Sequence, residues 1–126
     1  MKYQPKRIQR KRTKGWKMPE NTISVTRPGK YGNPFRVGHH YKKAVSTGTV
    51  LGNFIWVEAY EGYQDKTYTT IKTTEEAIKW FEWYLTTYSE RQLQVLRNDL
   101  KGKDLACWCP LDKSCHADIL LKYANK

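Results

Sequence analysis

Lys103–Asp118 reads KDLACWCPLDKSCHAD and holds all three cysteines of the chain and one of its three histidines. Asp104–Cys109 is apolar and bulky, which predicts a short buried strand. Strand side chains alternate, so Cys107 and Cys109 are expected on one side and Trp108 on the other. Pro110 has no N–H for a sheet ladder and should end the strand. Leu111–Lys113 makes a turn and Ser114 is a candidate N-cap. Cys115–Ala124 then reads as a helix, with Ala117, Leu120, Leu121 and Ala124 on its buried face. Cys115 and His116 fall in the first helical turn, where unpaired N–H groups favour negative charge.

Three uses of this segment remain open. Cys107, Cys109, Cys115 and His116 could ligate zinc through thiolates and an imidazole, although C-x-C-x5-C-H is not a standard zinc spacing. Adjacent helical residues point roughly 100° apart, so Cys115 and His116 could share one ion only at an irregular helix start. Alternatively Cys115 is a reactive thiolate with a pKa lowered by the helix terminus, and His116 or a residue across a cleft serves as acid or base. Or the cysteines are small buried hydrophobes and His116 bonds a nearby backbone group.

A chain of 126 residues suits one domain, expected over 1–126 with a mobile basic arm at 1–8. Five Trp, nine Tyr and three Phe supply large buried area. Three clustered cysteines do not look like a secreted disulfide framework. No apolar run suggests a membrane span or a signal peptide, so a reducing cytoplasm is the expected compartment. The net charge of +11 is uneven: residues 1–17 carry eight of the 23 Lys and Arg and no acid, leaving 15 basic against 12 acidic residues. Nucleic acids or nucleotide phosphates are the expected partners, with a solvated tail as the plainer alternative.

The basic segment interleaves Arg10 and Arg12 with Trp16, and Gly15-Trp16 suggests a turn that docks Arg10–Trp16 on the body. Docked guanidinium groups could clamp phosphate. Ile23 and Val25 alternate with polar neighbours in a half-buried strand that runs into RPGKYGNPF, residues 27–35. Gly29 and Gly32 would let the backbone approach a ligand or adopt positive φ. Arg27, Lys30 and Arg36 surround the loop, a usual place for phosphate after a strand, although it is neither of the standard glycine motifs and an ordinary turn explains it as well. Asn33 could read a base or ribose, and Tyr31 or Trp108 could stack.

His39-His40 opens a polar stretch. Phe54–Tyr60 and Thr67–Lys72 look like strands joined through EGYQD, 61–65, in a hairpin. Glu58 is either a cleft carboxylate or a residue on the wet face. Thr73-x-x-Glu76 and Ser89-x-x-Gln92 are capping boxes that open helices over 74–88 and 90–101, with Gly102 as the stop. Trp80 and Trp83 read as packing residues on the first of these.

Three blocks, RIQRKRTKGWKMPENT (7–22), VTRPGKYGNPF (25–35) and GKDLACWCPLDKSCHADILLKYAN (102–125), resemble a phage and bacterial family classed as domain of unknown function 4326, which more often has Trp at the place of Tyr31. The resemblance implies that the basic segment belongs to the domain and that the glycine loop and the Cys/His segment go together around one anionic ligand. Its phage association implies work in a host cytoplasm on nucleotides, nucleic acid or host defence.

The expected fold is one α/β domain: a mixed sheet of about four strands with about three helices, with room for Rossmann-like character. The leading expectation is a nucleotide-binding domain, with cleavage of a bond at the sugar conceivable and His116, Asp118 and Glu58 as acid/base candidates. No nucleophile–base pair is clear enough to assign an enzyme. The alternatives are a nucleic-acid-binding module with structural zinc and an inhibitor or sponge acting on a host factor, for which no protein partner can be named.

Overall fold

The computed structural model describes residues 3–27, 29–45, 54–59 and 66–126. In chain order the elements are β1 (Arg7–Gln9), β2 (Thr22–Ser24), β3 (His40–Val45), β4 (Phe54–Glu58), β5 (Thr69–Thr70), α1 (Thr74–Thr86), α2 (Glu90–Leu100), β6 (Asp104–Cys107) and α3 (His116–Ala124). The class is α/β with three helices, as the sequence predicts. The strands form two three-stranded sheets, one parallel and one antiparallel. Two compact units result, Met1–Asn33 with Tyr88–Lys126, and Pro34–Thr87.

The first unit is organised by β6, whose four residues are all buried. It lies between β1 and β2 and is parallel to both, pairing Arg7–Gln9 with Leu105–Cys107 and Thr22–Ser24 with Asp104–Ala106. Parallel strands need cover on both faces, which explains the unbroken apolar run Leu105–Cys107. Helix α3 packs on β6 and β1 and also meets α2. Its buried residues Ala117, Leu120 and Ala124 follow helical spacing. Asp104 is the buried polar group of β6; Tyr3 Oη donates to its carboxylate at 2.6 and 2.7 Å, and the Lys6 N–H at 3.0 Å. From Tyr3 onward, therefore, the segment expected as a mobile arm at 1–8 lies against β6, and residues 7 and 8 belong to β1.

The second unit surrounds Phe35, whose ring centroid lies 5.1 Å from Tyr41, 5.2 Å from Trp56, 5.4 Å from Trp80 and 6.0 Å from Tyr84. Phe35 is fully buried, as are Ile71 and, nearly, Tyr41. Helix α1 begins at an N-cap Thr73 whose side chain accepts from the Glu76 N–H, and buries Ala77, Phe81 and Leu85 at four-residue spacing. Trp80 packs on Phe35 and Tyr41, in keeping with its expected packing role.

Several boundaries differ from the sequence reading. The expected hairpin of 54–60 with 67–72 does not form: β3 lies between β4 and β5 and pairs antiparallel with each. The basic and aromatic residues of β3 hide its alternation, and its middle position comes from long-range pairing. The EGYQD segment and Tyr60 lie outside the described residues. Strand β6 stops at Cys107, two residues early, and α3 is capped by Cys115 rather than Ser114. No helix among the described residues is long and apolar enough to cross a membrane.

Removing the Phe35 ring leaves a void among four aromatic neighbours. Phe35→Ala is expected to lower stability by about 3–5 kcal/mol, read as a shift in the denaturant midpoint with near-ultraviolet circular dichroism as the probe.

Candidate functional site

Because β1, β6 and β2 are parallel, the residues that follow them meet at one edge of the sheet. The ladder runs one residue further on either side: the Arg10 N–H donates to Cys107 O at 2.7 Å and the Val25 N–H to Ala106 O at 2.9 Å. Arg10 is thus brought beside Trp108, and Val25 beside Cys107, at the carboxyl ends of the strands, where ligands of open parallel sheets bind.

The three cysteines converge at this edge. Their sulfur atoms lie within 4.8 Å of one another, so together they could hold a metal ion. Cys107 and Cys115 are buried with sulfurs 3.2 Å apart, and Cys109 is half-buried. Cys115 has extended backbone, φ −149° and ψ 149°, and His116 is the first helical residue. This irregular start removes the angular obstacle expected for adjacent helical residues: His116 Nδ1 lies 3.6 Å from Cys115 Sγ. His116 Nε2 is 2.7 Å from Val25 O. A carbonyl can only accept, so Nε2 carries the proton, and in the neutral ring Nδ1 presents its lone pair toward Cys115.

Hydrogen bonding from Cys107 lowers the Cys115 pKa, and the Ala117 N–H at the helix start also lowers it, against the effect of burial. The same Cys107–Cys115 bond, then burial, raises Cys107, while burial chiefly raises Cys109. The negative charge therefore belongs on Cys115, with Cys107 as donor. Yet Cys115 and Cys107 are each only 1% exposed, which leaves an electrophile no path to either sulfur and removes the geometric basis for an attacking thiolate.

Arg7 holds the loop between these cysteines. Its Nη2 donates to the carbonyls of Pro110, Leu111 and Lys113 at 3.0, 2.8 and 2.6 Å, and Nη1 lies 3.2 Å from Asp118 Oδ2. That Asp118 oxygen also accepts the Cys115 N–H at 3.3 Å. Asp118, expected as an acid or base, is engaged in bracing the helix start. Arg7 is the residue that sequence reasoning missed, since one more cation in a basic segment carries no mark of its partners. Period-two alternation with Ile8 was the available signal that it belonged to a strand.

Arg10 Nη1 donates to Ser24 Oγ at 3.2 Å and Thr26 Oγ1 at 3.1 Å. The guanidinium carbons of Arg10 and Arg12 lie 4.4 and 4.3 Å from the Trp108 ring centroid. Trp108 thus supports two cations rather than offering a bare stacking face. Neither arginine forms an ion pair among the described residues, and Arg10 Nε is buried without an acceptor. Trp16 is half-buried after a turn at Gly15, φ 86°, closed by the Trp16 N–H donating to Thr13 O at 3.1 Å.

The glycine loop divides its candidates. Gly29 and Gly32 do not have positive φ. A Cβ on Gly32 would lie 2.9 Å from Arg27 Cα and N, so glycine is needed for the loop to fold on itself. Arg27 is exposed and Asn33 is 5% exposed. Tyr31 and Lys30 turn to Asp99 of α2: the Tyr31 hydroxyl donates to Asp99 Oδ2, and Lys30 Nζ lies 3.4 Å from it. Arg36 and Glu58 belong to the second unit, where the Arg36 N–H donates to Tyr41 Oη at 2.9 Å and the exposed Glu58 pairs with His39.

The family described as Domain of unknown function (DUF4326) matches residues 8–126. The chain belongs to this family. No curated protein and no solved structure matches it. The match takes in the sheet edge, the cysteines and the basic residues from Arg10 onward.

The Arg7 brace gives a test. Arg7→Lys keeps the charge but cannot reach three carbonyls and a carboxylate with one ammonium. Amide exchange over 111–115 is expected to accelerate about tenfold or more, from loss of charge-assisted bonds of about 1.5–3 kcal/mol, while exchange in α2 stays unchanged.

Proposed function

We propose that this DUF4326 chain binds a phosphorylated ligand, a nucleotide, at the carboxyl edge of its parallel sheet, beside a loop held by zinc. The observation that carries the reading is the pair of guanidinium groups without ion-pair partners on Trp108. Both lie within about 4.5 Å of one ring centroid and so within about 9 Å of each other, where like charges repel by about 0.5–2 kcal/mol at effective dielectric constants of 80 to 20. A phosphate between or above them would relieve that repulsion and accept bidentate bonds. The hydroxyls of Ser24 and Thr26, which orient Arg10, and the Arg27 loop that follows them supply further polar groups. Base recognition then falls to groups other than the faces of Trp108.

Zinc suits the donor set. Three thiolates and an imidazole at zinc distances of about 2.3 and 2.05 Å give tetrahedral S···N edges of about 3.6 Å and S···S edges of about 3.8 Å. The 3.6 Å from Cys115 Sγ to His116 Nδ1 fits the first, and the cysteine sulfurs, 3.2 Å apart at Cys107–Cys115, need move only slightly for the second. The bond from His116 Nε2–H to Val25 O is the outer contact that usually fixes a metal-bound imidazole. Zinc would lock the loop rather than perform chemistry, because four protein ligands leave no open position. A reducing cytoplasm is the compartment in which the three thiols stay available.

Two measurements test this. Native mass spectrometry with metal analysis should find one zinc per chain, lost in Cys109→Ser; a metal-free protein with unchanged thermal stability would remove the zinc reading. Calorimetric titration with ADP should show binding that weakens about tenfold in Arg12→Ala, the loss of one charge-assisted bond. If ADP does not bind while a single-stranded oligonucleotide does, with affinity falling steeply as salt rises, the ligand is nucleic acid instead.

A further inference from the structure

A cavity of about 270 Å³ lies in the first unit and shares no residue with the Arg10–Trp108 cluster. Lys30, Tyr31, Tyr88, Arg91, Gln92 and Val95 line it, and the buried Leu96 forms its floor. We propose that this cavity binds a planar aromatic ring carrying an anionic group, of the kind found in a nucleoside monophosphate.

Its walls are built for a ring. Tyr31 and Tyr88 are half-buried there, and Leu96 and Val95 add aliphatic surface. Val95 is 42% exposed although it sits on a helix whose buried residues are Leu96 and Leu100. An apolar side chain beside two tyrosines at a cavity mouth is a contact surface for an apolar or aromatic partner.

The polar groups select the charge. The Tyr31 hydroxyl is engaged by Asp99, and burial together with that carboxylate raises its pKa, so the ring is neutral. Lys30 lies against the same carboxylate and 5.3 Å from the Tyr31 ring, and its charge is thereby balanced. Gln92 Oε1 accepts the Ser89 N–H at 2.7 Å, which fixes the orientation of the amide and leaves both N–H groups of its NH₂ to offer a ligand. Arg91 is exposed and forms no ion pair among the described residues. Within reach of a ligand are therefore donors, the Gln92 NH₂ and the Arg91 guanidinium, set around an aromatic and aliphatic floor. A ring with acceptor edges and an anionic substituent satisfies both; a cation or an uncharged aliphatic molecule satisfies neither.

The volume is compatible with a single small ring system and excludes a folded peptide or a helix. This site is independent of the sheet edge, since the two use different residues and can be disabled separately.

The experiment is a titration of the isotope-labelled chain with AMP, followed by amide chemical shifts. Shifts should concentrate at Tyr31, Tyr88, Arg91, Gln92 and Val95. Val95→Glu, an exposed substitution that places a carboxylate at the mouth, should abolish them while circular dichroism shows the fold retained. Arg91→Ala should weaken AMP about tenfold and leave adenosine unchanged, and ribose 5-phosphate should not compete. Arg12→Ala, which tests the sheet edge, should leave these shifts in place. The proposal is overturned by absence of shifts at these residues at millimolar AMP, by their survival in Val95→Glu, or by their loss in Arg12→Ala.

Discussion

The backbone ladder of β6 is the constraint on which the first unit depends. A parallel strand cannot be joined to its neighbours by a tight turn, so the chain must travel between them. Here it travels unequally. Residues 10–21 carry it from β1 to β2, and the whole second unit with α2 intervenes before β6 enters between them. The central strand is thus the last to be made, and its pairing closes contacts of about a hundred residues' separation, such as Tyr3 with Asp104. The Tyr3 and Lys6 bonds to the buried Asp104 carboxylate fix where β6 begins, because a one-residue slip would turn that carboxylate to the other face of the strand and away from its donors.

Order at the other end of β6 comes from Arg7. One guanidinium satisfies three carbonyls of an eight-residue connection whose large apolar residues, Trp108 and Leu111, are exposed. Through Asp118 the same group reaches the amide of Cys115, and so the helix start, the loop and β1 are tied at one point. Cys115 then takes extended backbone, and its sulfur and the His116 ring can face the same space. Thr73 and Ser89 take the same extended conformation at the starts of α1 and α2, so the N-cap position itself lets Cys115 and His116 face one space, while the brace holds the loop that leads into it.

Much of this was legible in the sequence, for identifiable reasons. The N-cap at Thr73 and the capping box at Ser89 are local chemistry, and both helices start where those residues place them, although Glu76 accepts from the Lys72 N–H rather than closing a box on Thr73. The Cys/His segment was legible as strand, turn and helix because its apolar run and its periodicity are also local. What escaped notice depends on pairs distant in sequence. Strand β3 is written in residues of mixed polarity and is a strand because β4 and β5 flank it. Arg7 looks like any basic residue until three carbonyls a hundred positions away are brought to it. Gly32 suggested a ligand-facing backbone, but the close atom is Arg27 of the same loop. Tyr31 and Lys30 turn to Asp99, and no local rule links a glycine loop to a carboxylate near the end of a helix 68 residues on.

Charge arithmetic links the cysteines to the arginines. If zinc is held as proposed, three thiolates and a neutral imidazole around the divalent ion would leave one negative charge uncompensated. Arg7, whose side chain is 7% exposed and whose charge acts on Cys109, is placed to balance it. The half-exposed Asp118 shares the same guanidinium. Among the described residues, neither guanidinium on Trp108 forms an ion pair. A reactive thiolate at Cys115 would have required the reverse arrangement, an open sulfur and a cation beside it. Burial closes that sulfur, whereas Arg12 is exposed and both guanidiniums lie on Trp108, the arrangement on which the proposed anion site rests.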